Sequence, residues 1–421
     1  MRGIISLPGD KSISHRAIIL SALSAGKTII RNIALSGDIL ATVSAFRKLG
    51  IKIRLDQASC RAQVSGKGLF GLKRPPAPIY IAESGTTFRL LLGLLAGQDF
   101  KAELRAGKAL ARRPMLRVIK PLRSMGARIS GGSPPITIQG SRLTGITYKL
   151  PVASAQVKGA LLLAGLFAAG LTRLSEPIKT RDHTERMLGL FKAGIKIKGN
   201  TIILAGGKEL ASPGSLYIPA DISSAAFFMV AASILPQSKI LIRNVGLNPG
   251  RSGVISALKK MGGAIKISRP KLHYRGNEPM GDIQVSSSAL RGIRIGKRRI
   301  PALIDELPIL MVAACFAKGV SVFENAGELR VKETDRIRSM VTNLKKLGAD
   351  IKVACSGGRE DIIIKGGKAL RGAQVRSFGD HRTAMSMVIA GLAAQGRTRV
   401  DDLSCINKSF PNFLKVLNSM K

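Results

Sequence analysis

The sequence predicts an α/β protein of two similar lobes, each built from three repeated α/β units. Three observations carry that prediction. A Ser or Asp precedes an apolar, Ala/Leu-rich run six times, at Ser12, Ser84, Ser154, Asp221, Asp305 and Asp380. Self-similarity at a steady period of about 70 residues marks a repeat architecture. A second element recurs in phase: "FRKLGIKI", "LRSMGARI", "FKAGIKI", "LKKMGGAIKI" and "LKKLGADIKV" each read as helix end, capping glycine and strand. Between the two lies a Val/Ile/Leu/Thr-bearing stretch such as "TIIRNI", "KILIRNV" or "VSVFENA", which reads as a further strand.

Taken in order, each run is read as a helix opening at its Ser or Asp, both good N-caps. Five of the six runs reach a glycine: Gly26, Gly97, Gly170, Gly319 and Gly396. The capping glycines of the second element are Gly50, Gly126, Gly194, Gly262 and Gly348. A last helix, "FPNFLKVLNSMK", has no strand after it, and the first strand-like segment, "RGIISL", stands unpaired at the other end. The N-terminal strand is therefore expected to complete the sixth unit, so that the chain crosses between lobes more than once.

The chain has 421 residues and is 45% hydrophobic, enough for two domains with cores of their own. No apolar stretch reaches the roughly 18 residues that cross a bilayer; "ALLLAGLFAAGL" (160–171) reads as a buried helix. "MRGIISLPGD" has no signal-peptide or transit-peptide character, and a cytoplasmic location is expected. Cys60, Cys315, Cys355 and Cys405 stand in no metal-ligand spacing, and His15, His183, His273 and His381 are scattered. Reduced thiols, no metal and no cofactor are expected. "GKGLFG" (66–71) fits a dinucleotide fingerprint only in letters, because the prolines of "LKRPPAP" cannot open the required helix. "AGKT" (25–28) ends like a phosphate loop, but the first glycine of that motif falls on Ser21.

Charge narrows the ligand class. Lys and Arg number 67 against 25 Asp and Glu, a formal +42, which favours an anionic ligand, a nucleic acid or a membrane surface. Aromatics are 4% and Trp is absent, leaving no stacking platform for bases. The cations are also dispersed along the chain, so neither a specific nucleic acid nor a membrane is expected as partner. What differs between repeat copies is the polar content at the helix starts. There stand Lys11, Ser12 and Arg16; Ser84, Gly85, Thr86 and Arg89; Ser154, Gln156 and Lys158; Asp380, His381 and Arg382. Helix N-termini favour anions. Clusters in register, each opening a buried helix, point to a shared anion site rather than to a solvated surface.

The residues "LPGDKSISHR", "SGTTFRL", "RRP", "VASAQVKGALLLAG", "TRDHTERML", "LIDELP", "RVKETDR", "GDHRTAM" and "NKSFP" resemble, in order and over the whole chain, the 5-enolpyruvylshikimate-3-phosphate synthase family. The resemblance implies two lobes of three units each, the first over 11–220 and the second over 1–10 and 221–421. Crossings are implied near 8–12 and 219–222, with the active site in the inter-lobe cleft of a monomer. The implied substrates are shikimate 3-phosphate and phosphoenolpyruvate; the enolpyruvyl group passes to a ring hydroxyl by addition and elimination, releasing phosphate.

Carried over, shikimate 3-phosphate is held by Lys11, Ser12, Arg16, Ser154, Ala155, Gln156, Arg181, Asp305 and Lys332. Phosphoenolpyruvate is held by Lys11, Gly85, Arg113, Gln156, Arg336, Arg382 and Lys408. Arginine's planar fork suits carboxylate and phosphate, and lysine supplies a point charge. Asp305 is expected to take the hydroxyl proton and Glu333 to protonate C3, with Lys11 and Lys332 completing the catalytic set. The division of acid and base among Asp305, Glu333 and Lys332 stays open. Each group also has a plainer reading. Asp305 and Asp380 can simply cap helices, and "KETDR" can be an ordinary ion-pair face.

The chain departs from the family pattern at Glu83 and Glu328, where Asn is usual or frequent, and at Ala155, where many members have Ser. Two other functions compete. Enolpyruvyl transfer to a UDP-amino sugar normally brings a reactive Cys ahead of the Arg-Pro pair, but here "GKALARRP" has Lys108 nearby and no Cys occurs between 60 and 315. A basic nucleic-acid-binding protein is supported by charge alone.

Overall fold

The computed structural model describes residues 1–268 and 278–420; His273 lies outside them. The described residues fold into two compact units, each around a hydrophobic core of its own. One, the N-terminal unit, comprises 9–218 with Glu278. The other, the C-terminal unit, comprises 1–8, 219–268 and 279–420. Each is described by itself.

Three apolar core helices run through the N-terminal unit: the first at Lys11–Leu23, the second at Gly85–Ala96 and the third at Ala155–Gly165. The C-terminal unit holds the fourth at Ile222–Ile234, the fifth at Leu307–Phe316 and the sixth at His381–Ala393. Their sequences are apolar all round rather than striped, and the helices are buried accordingly, the fourth at every residue from Ile222 to Ser233. Five of the six carry a side-chain N-cap: Asp10, Ser84, Ser154, Asp221 and Asp380. Such caps contribute about 1 kcal/mol each. Two expected starts shift. Asp10, not Ser12, caps the first helix, accepting from Ile13 N at 2.9 Å, which moves Ser12 into the first turn. The fifth helix begins after Glu306 without a side-chain cap, so Asp305 is not a capping residue.

Each full unit lays a short leading strand parallel to a second strand, which pairs in turn with an antiparallel hairpin. The second unit shows the order: Ile79–Tyr80, Lys101–Arg105, Ile136–Gln139, Arg128–Ser130. The first and fourth units exchange their leading strands. Arg2–Ser6 pairs in parallel with Lys239–Gly246 of the fourth unit, Arg2 opposite Lys239. Ser215–Tyr217 pairs in parallel with Ser24–Arg31 of the first. The N-terminal strand therefore completes the fourth unit, not the sixth. The sixth keeps only the two-stranded ladder Gln374–Val375 with Arg399–Val400. It closes with the helix Phe413–Asn418, where Phe410 and Phe413 pack on Phe228 with ring centroids 6.1 and 5.6 Å apart.

Opposite the leading strand, the strands Lys52–Asp56, Arg128–Ser130, Gly194–Lys198, Ala264–Ser268 and Asp350–Ser356 are the outermost of their sheets on the hairpin side, and they share a composition. Lys52, Arg54, Arg128, Lys196, Lys198, Lys266 and Lys352 are exposed along them.

Four of the five expected capping glycines adopt the left-handed backbone that ends a helix: Gly50, Gly126, Gly262 and Gly348, at φ 84 to 94°. In the third copy the glycine comes two residues late. Lys192 takes the left-handed position at φ 64°, and Gly194 instead opens a strand. For a residue with a Cβ that backbone costs roughly 1 kcal/mol. Lys192→Gly is therefore expected to stabilise the fold by up to about 0.5 kcal/mol after its own entropy cost, read as a higher urea midpoint.

Candidate active site

Sequence places a cation or hydroxyl in the first turns of the core helices, and folding gathers these into one cluster within each unit. In the N-terminal unit, Lys11 Nζ lies 2.7 Å from Asp38 Oδ2 at the start of the helix Gly37–Lys48. Ser12 Oγ accepts from Arg181 Nη1 at 3.0 Å, and Ser12 O accepts from Arg16 Nη1 at 2.9 Å. Arg16 Nε donates to Thr184 Oγ1 at 2.6 Å. Burial, and then repulsion by Arg181, push the Arg16 pKa down to about 10. A cation so placed gains from an arriving anion. His15 is buried beside them, and burial first, then Lys11 and Arg16, hold its pKa well below 6.5. It stays neutral, with Nδ1 2.7 Å from Thr42 Oγ1.

The second and third core helices add a linked set. Arg89 Nη1 donates to Gln156 Oε1 at 2.6 Å, and Gln156 Nε2 donates to Thr86 Oγ1 at 3.0 Å. Ser154 Oγ accepts from Val157 N as the cap ahead of Ala155. A Cβ on Gly85 would stand 2.7 Å from Arg113 Nη1 and 3.0 Å from Arg89 Nη1, so glycine is what lets both guanidinium groups approach this helix start. Glu83, a departure from the family pattern, accepts from Leu110 N at 2.7 Å and Ala109 N at 3.3 Å. Its carboxylate is used to tie down the turn of helix ahead of Arg113.

In the C-terminal unit Asp305, released from capping, faces arginines. Arg251 Nη1 donates to Asp305 Oδ2 at 3.1 Å, Arg336 Nη1 lies 3.6 Å from Oδ1, and Arg382 Nη1 donates to the Asp305 carbonyl at 2.6 Å. Arg336 Nε also donates to Asp380 Oδ2 at 2.8 Å, and Nη2 pairs with Glu333. Burial opposes the Arg336 charge, but Asp380, Glu333 and Asp305 outweigh it and hold its pKa above the ordinary value. Lys332 Nζ lies 3.6 Å from Glu328 Oε1, and Lys408 Nζ donates to Gly379 O at 3.2 Å. The plainer readings hold in part: Asp380 does cap the sixth helix, and Glu333 with Arg336 is an i, i+3 ion pair.

Sequence reasoning missed Arg251, Glu306 and Ser223. Arg251 sits in a loop with no motif around it. Glu306 carried a signal: a carboxylate opening a helix that is buried throughout must find a partner. Among the described residues, no group of three or more His, Cys, Asp or Glu is placed to hold a metal ion, and no helix is long and apolar enough to cross a membrane.

Guanidinium and ammonium groups at helix starts, beside carboxylates held by arginine, define an enzyme acting on small polyanions. The comparisons with known proteins make that class specific. The family model for EPSP synthase (3-phosphoshikimate 1-carboxyvinyltransferase) matches residues 1–417. The 3-phosphoshikimate 1-carboxyvinyltransferase of Geobacillus kaustophilus is 47% identical over 100% of this chain and 98% of its own length. That of Syntrophomonas wolfei is 49% identical over 100% and 97%. The solved EPSP synthase from Acinetobacter baumannii superposes with a TM-score of 0.87 at 41% identity, covering 100% of this chain and 95% of that one. The enolpyruvyl transferase NikO from Streptomyces tendae, at 17% identity and a TM-score of 0.79, shares the fold. The chain belongs to the EPSP synthase (3-phosphoshikimate 1-carboxyvinyltransferase) family.

Proposed function

We propose that the two clusters serve the family's reaction, transfer of the enolpyruvyl group of phosphoenolpyruvate to the 5-hydroxyl of shikimate 3-phosphate with release of phosphate. One observation carries the assignment of parts. Asp305 leads a core-helix repeat without capping its helix, as Ser12 also does, and its carboxylate is held by arginines instead. A carboxylate fixed in that way is suited to accept a hydroxyl proton.

Ser12, with Arg16 and Arg181 that both donate to it, and Ser154, Ala155 and Gln156 at the third helix start are read as the shikimate 3-phosphate groups, with Lys332. Lys11, Gly85, Arg113, Gln156, Arg336, Arg382 and Lys408 are read as the phosphoenolpyruvate groups. An ion pair favours the charged carboxylate. As Arg336 turns from Glu333 to the incoming anion, the Glu333 carboxylate is freed to take up a proton from solvent, which it then gives to C3. A cytoplasmic location is proposed with this reading, supported by four free cysteines, the state a reducing compartment maintains.

The test is steady-state phosphate release. Release is expected only with both substrates present, with no nucleotide or metal added, and not when UDP-N-acetylglucosamine replaces shikimate 3-phosphate. Equal turnover on the UDP-sugar would assign the chain to the other reaction.

A further inference from the structure

We propose that Arg251 is a positioning residue of this reaction: it locks the Asp305 carboxylate in the orientation that takes the hydroxyl proton, and Glu306 and Ser223 lock Arg251. The inference rests on the reading of Asp305 as the base. The Arg251 side chain is 5% exposed and Asp305 is 17% exposed, so the carboxylate is reachable while the guanidinium behind it is not. Arg251 Nη1 donates to Asp305 Oδ2 at 3.1 Å. Its Nη2 donates to Ser223 Oγ and stands 3.6 Å from Asp221 Oδ1 and 3.7 Å from Glu306 Oε1. Ser223 in turn donates its hydroxyl hydrogen bond to Glu306, which is fully buried. The guanidinium is thus gripped by the first turn of the fourth core helix and by the residue after Asp305, with the Nη1 edge turned to Asp305.

The other charged groups facing Asp305 behave differently. Arg336 lies 3.6 Å from Oδ1 and is shared with Glu333 and Asp380. Arg382 lies 4.0 Å from Oδ2 and 3.8 Å from Glu306 Oε1. Both are given above to phosphoenolpyruvate, so their donors turn to substrate when it binds. Arg251 has no such second duty. Of these three arginines it is the one that keeps its place beside Asp305 through the cycle, and a buried, hydrogen-bonded charge is hard to displace.

Four variants of the full chain test this, assayed for phosphate release across pH. Arg251→Met is expected to lower kcat on the order of 10²-fold, with KM for phosphoenolpyruvate changed less than about threefold. The acid limb of kcat/KM should move up by about one pH unit, because a cation this close favours the ionised carboxylate. Arg251→Lys should bring the limb back with partial recovery of kcat. Glu306→Gln should move the limb the opposite way, since it leaves the Arg251 charge less shared. A merely structural role gives no opposed shifts, and it keeps KM and kcat tied to the amount of folded enzyme. If Arg251→Met fails to fold, a downward shift of the limb in Glu306→Gln, with the limb of Arg251→Lys near its wild-type position and kcat only partly kept, decides the matter. Asp305→Asn with wild-type kcat would remove the base assignment and this inference together. Asp305→Asn inactive, with the acid limb unmoved in the Arg251 and Glu306 variants, would keep the base and overturn the positioning role.

Discussion

Asp305→Asn is expected to lower kcat by roughly 10² to 10⁴-fold, the range for a lost general base, while shikimate 3-phosphate still binds. The substitution keeps size and shape, and Asn Oδ1 can still accept from Arg251, which reaches Asp305 at 3.1 Å. What disappears is the negative charge and the site for the proton. Arg336 and Arg382 keep Asp380 and Glu306 as counter-charges, the first at 2.8 Å and the second at 3.8 Å, so the anion-binding groups remain in place. Steady-state phosphate release and calorimetric binding of shikimate 3-phosphate to the variant check this. A near-normal kcat would assign the proton to Glu333 or Lys332.

The largest expected effect on stability lies away from the reacting groups. Lys158, in the second turn of the third core helix, is 1% exposed and sits 2.9 Å from Glu176 Oε2 and 2.6 Å from Glu185 Oε1. Glu176 is further held by Thr180 N at 3.2 Å and by the Thr180 hydroxyl. Lys158→Met preserves the apolar stem but leaves two buried carboxylates with no cation, and breaking a buried pair in this way costs about 3–5 kcal/mol. The pH dependence follows from Glu185, whose pKa burial raises and Lys158 pulls back down. A carboxyl with a raised folded-state pKa holds its proton more tightly folded than unfolded. Its contribution to stability is present below the unfolded value of about 4.3 and is lost as pH rises through the folded value. Removing Lys158 raises that folded value further. The variant should therefore unfold in urea close to wild type near pH 4 and far below it at pH 8. An equal loss at both would show that the pair contributes by packing alone.

The six-fold repeat could be read because its signals are local. A capping side chain lies within three residues of the amide it serves, as Ser84 does with Thr87, and core helices buried on all sides are apolar on all sides. Where the reading slipped, a local rule met a competing one. Ser12 looks like a cap, but Asp10 stands two residues earlier and takes the place. Gly194 looks like a helix stop, but Lys192 is reached first and bends left-handed. The exchange of leading strands has no local signature at all. Arg2–Ser6 and Ser215–Tyr217 are each compatible with either sheet, and only their pairing with Lys239–Gly246 and Ser24–Arg31 distinguishes them. The site divides the same way. Cations next to helix starts were visible, whereas Arg251 reaches Asp305 across 54 residues of sequence from a loop without a motif.

The cations on the five outermost strands give part of the +42 charge a physical origin unrelated to substrate. A strand at a sheet edge offers unpaired amides and carbonyls to any other strand, and exposed lysines there deter the docking. A fold that copies one small sheet over and over also copies its open border. Here each of the five borders carries at least one exposed Lys or Arg, from Lys52 in the first copy to Lys352 in the fifth. The protection is a matter of long-range repulsion, and it weakens as the Debye length falls from about 8 Å at 0.15 M salt to about 3 Å at 1 M. Concentrated salt thus turns a family of mutually repelling borders into a family of adhesive ones, and crowded storage in strong brine is where this protein would begin to stick to itself.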